Sequence, residues 1–141
     1  MAARSKARKR ALDVLFEAEL RDEPVLDVLA QRAAQDATEA PPISEYAAEL
    51  VRGVQEHRVQ IDDLLAANSA GWPLDRMPVV DRNILRIGAY ELLCADDVPD
   101  GVAISEAVQL AGELSTEESS AFVNGLLARL LELKPSLPRS Q

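Results

Sequence analysis

From Val79 to Ala95 the chain is apolar on nearly every side of a helix. Val80, Ile84, Leu85, Ile87, Leu92 and Leu93 cannot be gathered onto one stripe at 100° per residue. A helix of this kind persists in water only when other elements cover it, so the rest of the chain has to supply its coat. That coat reads as helical too. Leu12, Leu15 and Phe16 fall at i, i+3 and i+4 in a segment from Ser5, a candidate N-cap, to Leu20. Asp22-Glu23-Pro24 ends that helix and opens a second one carrying Val25, Val28, Leu29 and Ala33. Thr38 to Pro42 reads as a connector. Ser44 offers an N-cap to a long third helix, in which Tyr46, Leu50, Val54, Ile61, Leu64 and Leu65 keep a helical period as far as Asn68.

Gly71-Trp72-Pro73 and Met77-Pro78 bracket a short turn ahead of the apolar helix. Beyond it, Asp100 is placed to cap a helix with Ala103, Ala107, Leu110 and Leu114 on one face. Ser115-Thr116-Glu117-Glu118 then has the spacing of a capping box before a last helix bearing Phe122, Leu126 and Leu130. No run alternates with period two. The expected fold is all-α: a compact bundle of six or seven helices in two three-helix subdomains. With 141 residues, long enough to bury roughly two-thirds of the unfolded surface, it reads as one domain over 1–134 with a flexible tail at 135–141.

Charge is distributed unevenly over this frame. Arg4, Lys6, Arg8, Lys9 and Arg10 hold five of the fifteen basic residues, with no acid among them, in a chain of net charge −9. Ten basic residues are left elsewhere against twenty-four acidic ones, so a polyanion would be repelled by most of the surface and attracted by one end. Cations crowd the first turns of a helix here, where the macrodipole disfavours them by about 0.3–1 kcal/mol each. A sequence tuned only for helix stability would place acids there. Inert basic N-termini are also common, which is the plainer account of the same residues.

The catalytic inventory is nearly empty. The one histidine, His57, has no Cys or second His beside it, and no phosphate-cradling, dinucleotide-binding or zinc-protease motif occurs. Neither catalysis, nor a metal, nor a cofactor is expected. The lone Cys94 sits in an apolar run and reads as a small core residue; with a single thiol no internal bridge can form, which suits a reducing cytoplasm. No stretch is long and apolar enough for a membrane span. Three features invite a binding role. Asp81, Arg82 and Arg86 interrupt the apolar helix and must pair internally, reach solvent or meet a partner. Phe122, one turn from Glu118, could stack on an unpaired base or belong to the core. Asn124-Gly125 breaks helix propensity, as if another backbone came close.

Along nearly its whole length the chain resembles the NusB family of bacterial transcription antitermination factors. The resemblance is carried by the segment Ala7 to Phe16, the block Val80-Asp81-Arg82-Asn83-Ile84-Leu85-Arg86-Ile87-Gly88-Ala89-Tyr90-Glu91-Leu92, the runs Asp97-Val98-Pro99 and Val102 to Val108, and Phe122-Val123-Asn124-Gly125-Leu126-Leu127. The loop from Trp72 to Met77 resembles the family too. The resemblance implies two three-helix bundles, no enzyme activity and a cytoplasmic setting. Its implied ligand is single-stranded boxA-type RNA of ribosomal leader transcripts, bound together with NusE, a small-subunit ribosomal protein, within an RNA polymerase antitermination complex. By position, Arg4, Lys6, Arg8, Lys9, Arg10, Glu118 and Phe122 match the RNA-binding end, and Asp81, Arg82 and Arg86 match the helix that helps receive NusE. Two other readings stand beside this one. The chain could be an RNA-recognition module for a separate RNA methyltransferase, since no methyltransferase domain follows the last helix. It could also be a homodimeric interaction scaffold without an RNA role.

Overall fold

The structure, a computed structural model, describes residues 2–35 and 42–137. Among them are seven α-helices: α1 (Ala2–Arg21), α2 (Val25–Ala33), α3 (Glu45–Glu56), α4 (Arg58–Asn68), α5 (Val79–Cys94), α6 (Asp100–Leu114) and α7 (Glu117–Leu133). Short 3-10 turns lie at Leu74–Arg76 and Lys134–Ser136, and no strand occurs among the described residues. The all-helical expectation is met. The expected connector at 38–42 falls outside the described residues except for Pro42. Of the expected tail at 135–141, residues 138–141 also lie outside, while 135 and 136 lie in the second turn, whose first residue Lys134 donates from Nζ to Asp100 Oδ1 at 2.7 Å.

The chain divides into two compact units, Met1–Glu56 and His57–Gln141. In the first, α1, α2 and α3 pack on one another. Ala7, Ala11, Leu12, Val14, Leu15 and Ala18 of α1, Val28 and Leu29 of α2, and Ala47, Leu50, Val51 and Val54 of α3 are buried. Ser5 does not cap α1, which starts three residues earlier. At its other end Asp22 adopts a left-handed φ of 53°, and Glu23 N–H donates to Ala18 O at 2.9 Å. A short polar residue tolerates that helix-ending geometry. Ser44 caps α3 as expected, its Oγ accepting from Ala47 N–H at 3.1 Å.

The long third helix is broken at His57, whose φ of −102° and ψ of 15° leave helical geometry. Tertiary packing decides this. Leu50 and Val54 belong to a helix packed on α1 and α2, whereas Ile61 and Leu65 belong to one packed on α5 and α7. The apolar period runs unbroken through two helices that serve different cores.

In the second unit α5 is the covered helix. It packs against α4, α6 and α7, and Asp81, Asn83, Ile84 to Ala89, Glu91 and Leu92 are all buried. Each of its large aliphatic side chains contributes about 1.5–3 kcal/mol by leaving water. Helices approach closely at Gly88: a Cβ there would lie 2.7 Å from Leu127 Cδ1 and 3.2 Å from Ala107 Cβ, so α5, α6 and α7 converge on this position. Two caps differ from expectation. Asp100 makes no cap hydrogen bond and instead begins α6, where it pairs with Lys134. The cap of α7 is Thr116, one residue later than Ser115, with its Oγ1 accepting from Ser119 N–H at 3.0 Å. Cys94 is half-buried at the end of α5 rather than a core residue, because α5 runs out of covering helix there.

Candidate functional site

Of the five cations at the start of α1, the fold buries Arg8 alone and leaves Arg4 half-buried. Lys6 is exposed, and Lys9 and Arg10 are half-buried. Arg10 Nη1 lies 3.3 Å from Asp13 Oδ2, an exposed-side pair worth little by itself. Arg4 and Arg8 behave differently. Their guanidinium carbons stand 4.1 Å and 5.8 Å from the centroid of the Tyr46 ring on α3, within cation–π range. Arg8 is only 3% exposed, since it shares the face of Ala7, Ala11 and Leu12 that packs inward. Its assignment to a solvent-facing basic tip is corrected: Arg8 holds α1 to α3. Tyr46, the ring beneath both arginines, read in the sequence only as one more apolar position.

The charges on α5 are bound within their own unit. Arg86, 4% exposed, donates from Nε to Asp62 Oδ1 at 2.8 Å, from Nη2 to Asp62 Oδ2 at 3.2 Å and from Nη1 to Asn83 Oδ1 at 3.0 Å. Arg58 Nε reaches the same carboxylate at 2.9 Å, so Asp62 serves two guanidinium groups. Asp81 is fully buried. Its Oδ2 accepts from Ser119 Oγ at 2.7 Å, while Oδ1 has no hydrogen-bond partner. Ser119 Oγ in turn accepts from Thr116 Oγ1 at 3.1 Å and lies 3.0 Å from Ser115 Oγ, tying the start of α5 to the cap of α7. Of the three outcomes open to these charges, Arg86 takes internal pairing with a carboxylate, and Asp81 is enclosed with the Ser119 hydroxyl. Arg82 is half-buried and points Nη1 at the carbonyls of Leu74 (3.4 Å), Asp75 (3.3 Å) and Met77 (2.9 Å). Burial and, secondarily, the neighbouring Arg86 lower its pKa below the ordinary guanidinium range.

Those three carbonyls belong to the turn that presents Trp72. Ahead of it, Ala70 and Gly71 have φ of 54° and 86°, and Trp72 N–H donates to Ser69 O at 3.2 Å, the hydrogen bond of a tight turn with two left-handed central residues. Glycine takes that conformation freely; for Ala70 it costs about 1–2 kcal/mol. The indole meets Phe122 of α7 edge to face, with centroids 4.7 Å apart and ring planes at 73°. Both rings are half-buried, and Glu118, one turn earlier on α7, is exposed. The aromatic partner of Phe122 was not legible in the sequence, since nothing local joins positions fifty residues apart. At Gly125 a close-approaching backbone could come from within the fold or from outside it. A Cβ there would meet nothing within 4 Å, so among the described residues no other element approaches it.

The described residues hold no group of three or more His, Cys, Asp or Glu suited to a metal ion, and no described helix is long and apolar enough to cross a membrane. Comparison with known proteins supplies what this geometry leaves open. The sequence profile of the NusB family matches residues 5–132. The chain belongs to the NusB family. It is 63% identical over 135 residues to the transcription antitermination protein NusB of Thermobifida fusca, a match spanning 96% of this chain and 93% of that one. Its fold is similar to T. maritima NusB, with a TM-score of 0.80 at 38% identity over 92% of this chain and 90% of the other. A crystal structure of the antitermination factors NusB and NusE in complex with double-stranded RNA aligns at a TM-score of 0.75 and 28% identity, over 94% of this chain and 98% of that one. As a NusB-family protein the chain is a transcription antitermination factor and not an enzyme.

Proposed function

We propose that this chain binds single-stranded boxA-type RNA of ribosomal leader transcripts jointly with a NusE-type ribosomal protein, and that the pair joins RNA polymerase to suppress termination. The observation that carries this reading is the charge asymmetry made concrete by the fold. Lys6, Lys9 and Arg10 remain at the surface of α1 on a chain of net charge −9. Three such cations attract a polyanion to one end, and the acidic remainder discourages non-specific RNA. A basic ribosomal protein supplies the positive charge this chain lacks, so affinity is expected to be weak alone and tight in the heterodimer. The solved relative with NusE and RNA supports the same pairing. Arg4 remains a candidate RNA contact from its place over Tyr46, and Glu118 and Phe122 are candidates on α7.

The test is a fluorescence-anisotropy titration of boxA-type single-stranded RNA, with and without the NusE-type protein, at several salt concentrations. Partner-dependent binding with a log–log salt slope of about −2, for three phosphates neutralised on a single strand, is the expected result. A duplex of the same sequence serves as competitor. Binding that ignores sequence and partner would sink the proposal.

A further inference from the structure

We infer that a cleft at the C-terminal end of α5 is a docking site for a segment of a further partner protein, one that carries aliphatic side chains flanked by Lys or Arg. The inference stands on the His57–Gln141 unit alone and does not depend on the RNA reading. The cleft has a volume of about 660 Å³, within the roughly 300–1,000 Å³ of ligand sites. Ile61, Leu64, Leu93, Cys94, Pro135 and Leu137 supply its apolar lining. It exists because α5 outruns its coat: Leu92 is 1% exposed, whereas Leu93 and Cys94, the last two residues of the helix, are half-buried. Apolar surface also continues past the cleft. Val59 is 75% exposed and stands one helical turn from the lining residue Asp63, on the same face of α4. A small molecule held in the cleft would leave Val59 in water, whereas a peptide running out along α4 covers it, so the lining and Val59 together fit a protein segment.

Charge selects the occupant. Asp63 and Asp96 line the cleft and are exposed, and Asp97 is exposed beside Asp96. Lys134, the cation of the lining, is already engaged, with its Nζ 2.7 Å from Asp100 Oδ1. A Lys or Arg lays its methylene stem on apolar walls of this kind and brings its charged head to the carboxylates. An acidic segment or a nucleic acid is repelled. The place also leaves the candidate RNA and NusE contacts of this unit open. Cys94, the last residue of α5, lies about 20 Å along the helix from Asp81 in its first turn, at 1.5 Å per residue. On α7, Glu118 lies in the first turn and Lys134 at the opposite end. The partner segment is therefore expected to bind the chain together with RNA and the NusE-type protein.

The probe is the peptide acetyl-KLLKLLK-amide, titrated to millimolar concentration into the nitrogen-15-labelled full chain, with and without the NusE-type protein. The peptide acetyl-KSSKSSK-amide keeps the charge without the aliphatic side chains, acetyl-ELLELLE-amide reverses the charge, and isoamylammonium chloride is the small-molecule arm. Cys94 is the single thiol of the chain, so its alkylation by iodoacetamide reports the cleft alone. The first peptide should move the amide resonances of residues 60–64, 93–96 and 134–137 and slow the alkylation several-fold, and the two control peptides should do neither. Asp63→Asn with Asp96→Asn should weaken the peptide about fivefold, and Val59→Ser about threefold, with RNA affinity unchanged. All three positions are exposed, and circular dichroism checks that each variant folds. No shifts at millimolar peptide, shifts elsewhere in the chain, or equal binding of either control peptide overturns the inference. Isoamylammonium moving the same resonances at the same concentration as the peptide also overturns it and makes the cleft a small-molecule site. Loss of peptide binding on adding the NusE-type protein overturns it in favour of that protein as the occupant. Should deletion of residues 138–141 open Cys94 to alkylation, the occupant is the chain's own end and the partner is dismissed.

Discussion

The first turns of α1 and of α5 both carry charge on strongly helical sequence, and the fold puts it to opposite uses. On α1 the cations off the buried stripe stay at the surface: Lys6 exposed, Lys9 and Arg10 half-buried. On α5 Asp81 and Arg86 are 0% and 4% exposed and bonded within their own unit. The difference follows from how much of each helix is covered. α1 packs through one stripe, whereas three helices coat α5. Arg8 follows the same rule from the other side, because it lies on the stripe of α1 and is as buried as Arg86. Charge type therefore does not mark a binding residue; its place relative to the packed face does.

The largest expected effect tests the α5 side. Asp62→Ala would leave the buried Arg86 guanidinium without its bidentate carboxylate, and urea unfolding should show a loss of about 3 kcal/mol, near the lower end for a broken buried pair because Asp62 keeps some contact with solvent. RNA affinity of the folded variant should be unchanged. A stable Asp62→Ala protein with lost partner binding would reverse the assignment and return Arg86 to an interface. Next in size, Gly88→Ala should cost about 1–2 kcal/mol, since the new Cβ displaces the buried Leu127 side chain and crowds Ala107. The same unfolding measurement decides it, and a neutral outcome would mean that α5, α6 and α7 converge less tightly than described.

The comparison is sharpened by two substitutions on α1. Lys9→Ala with Arg10→Ala should lower RNA affinity of the heterodimer about tenfold and make the salt slope shallower by about 1.4, two phosphates' worth, while stability moves by less than about 0.5 kcal/mol. Arg8→Ala should do the reverse, costing about 1 kcal/mol or more of stability through its packing and its place over Tyr46. Equal effects of both on RNA alone would show that burial does not separate them.

Local pattern made much of this fold legible. The all-round apolar run 79–95, the cap at Ser44 and the Pro-bracketed turn at 74–76 are set by neighbouring residues, and each appears where its pattern places it. What the sequence hid depends on distant residues. The break at His57 interrupts a perfect apolar period because its two halves serve different cores. Arg8 looked like its basic neighbours because only packing on α3 distinguishes it. The Trp72–Phe122 pair joins a turn to α7 across fifty residues, which no spacing predicts. The family resemblance supplied the RNA and NusE reading, and packing alone divided its candidate residues into surface and interior.

Gly125 gives the smallest effect and a finer probe than its size suggests. Of the four glycines in α5, α6 and α7, Gly88 is one where a Cβ would collide and Gly125 one where it would meet nothing. A glycine inside a helix costs about 0.5–1 kcal/mol relative to alanine, and with open space around it no packing repays that cost. Gly125→Ala should therefore stabilise the isolated chain by about that amount, raising Tm by a few degrees. If antitermination-complex assembly is untouched, the position is simply unoptimised. Should affinity for the NusE-type protein or RNA fall while stability rises, the missing Cβ is explained by a backbone that docks on this face of α7 only in the complex.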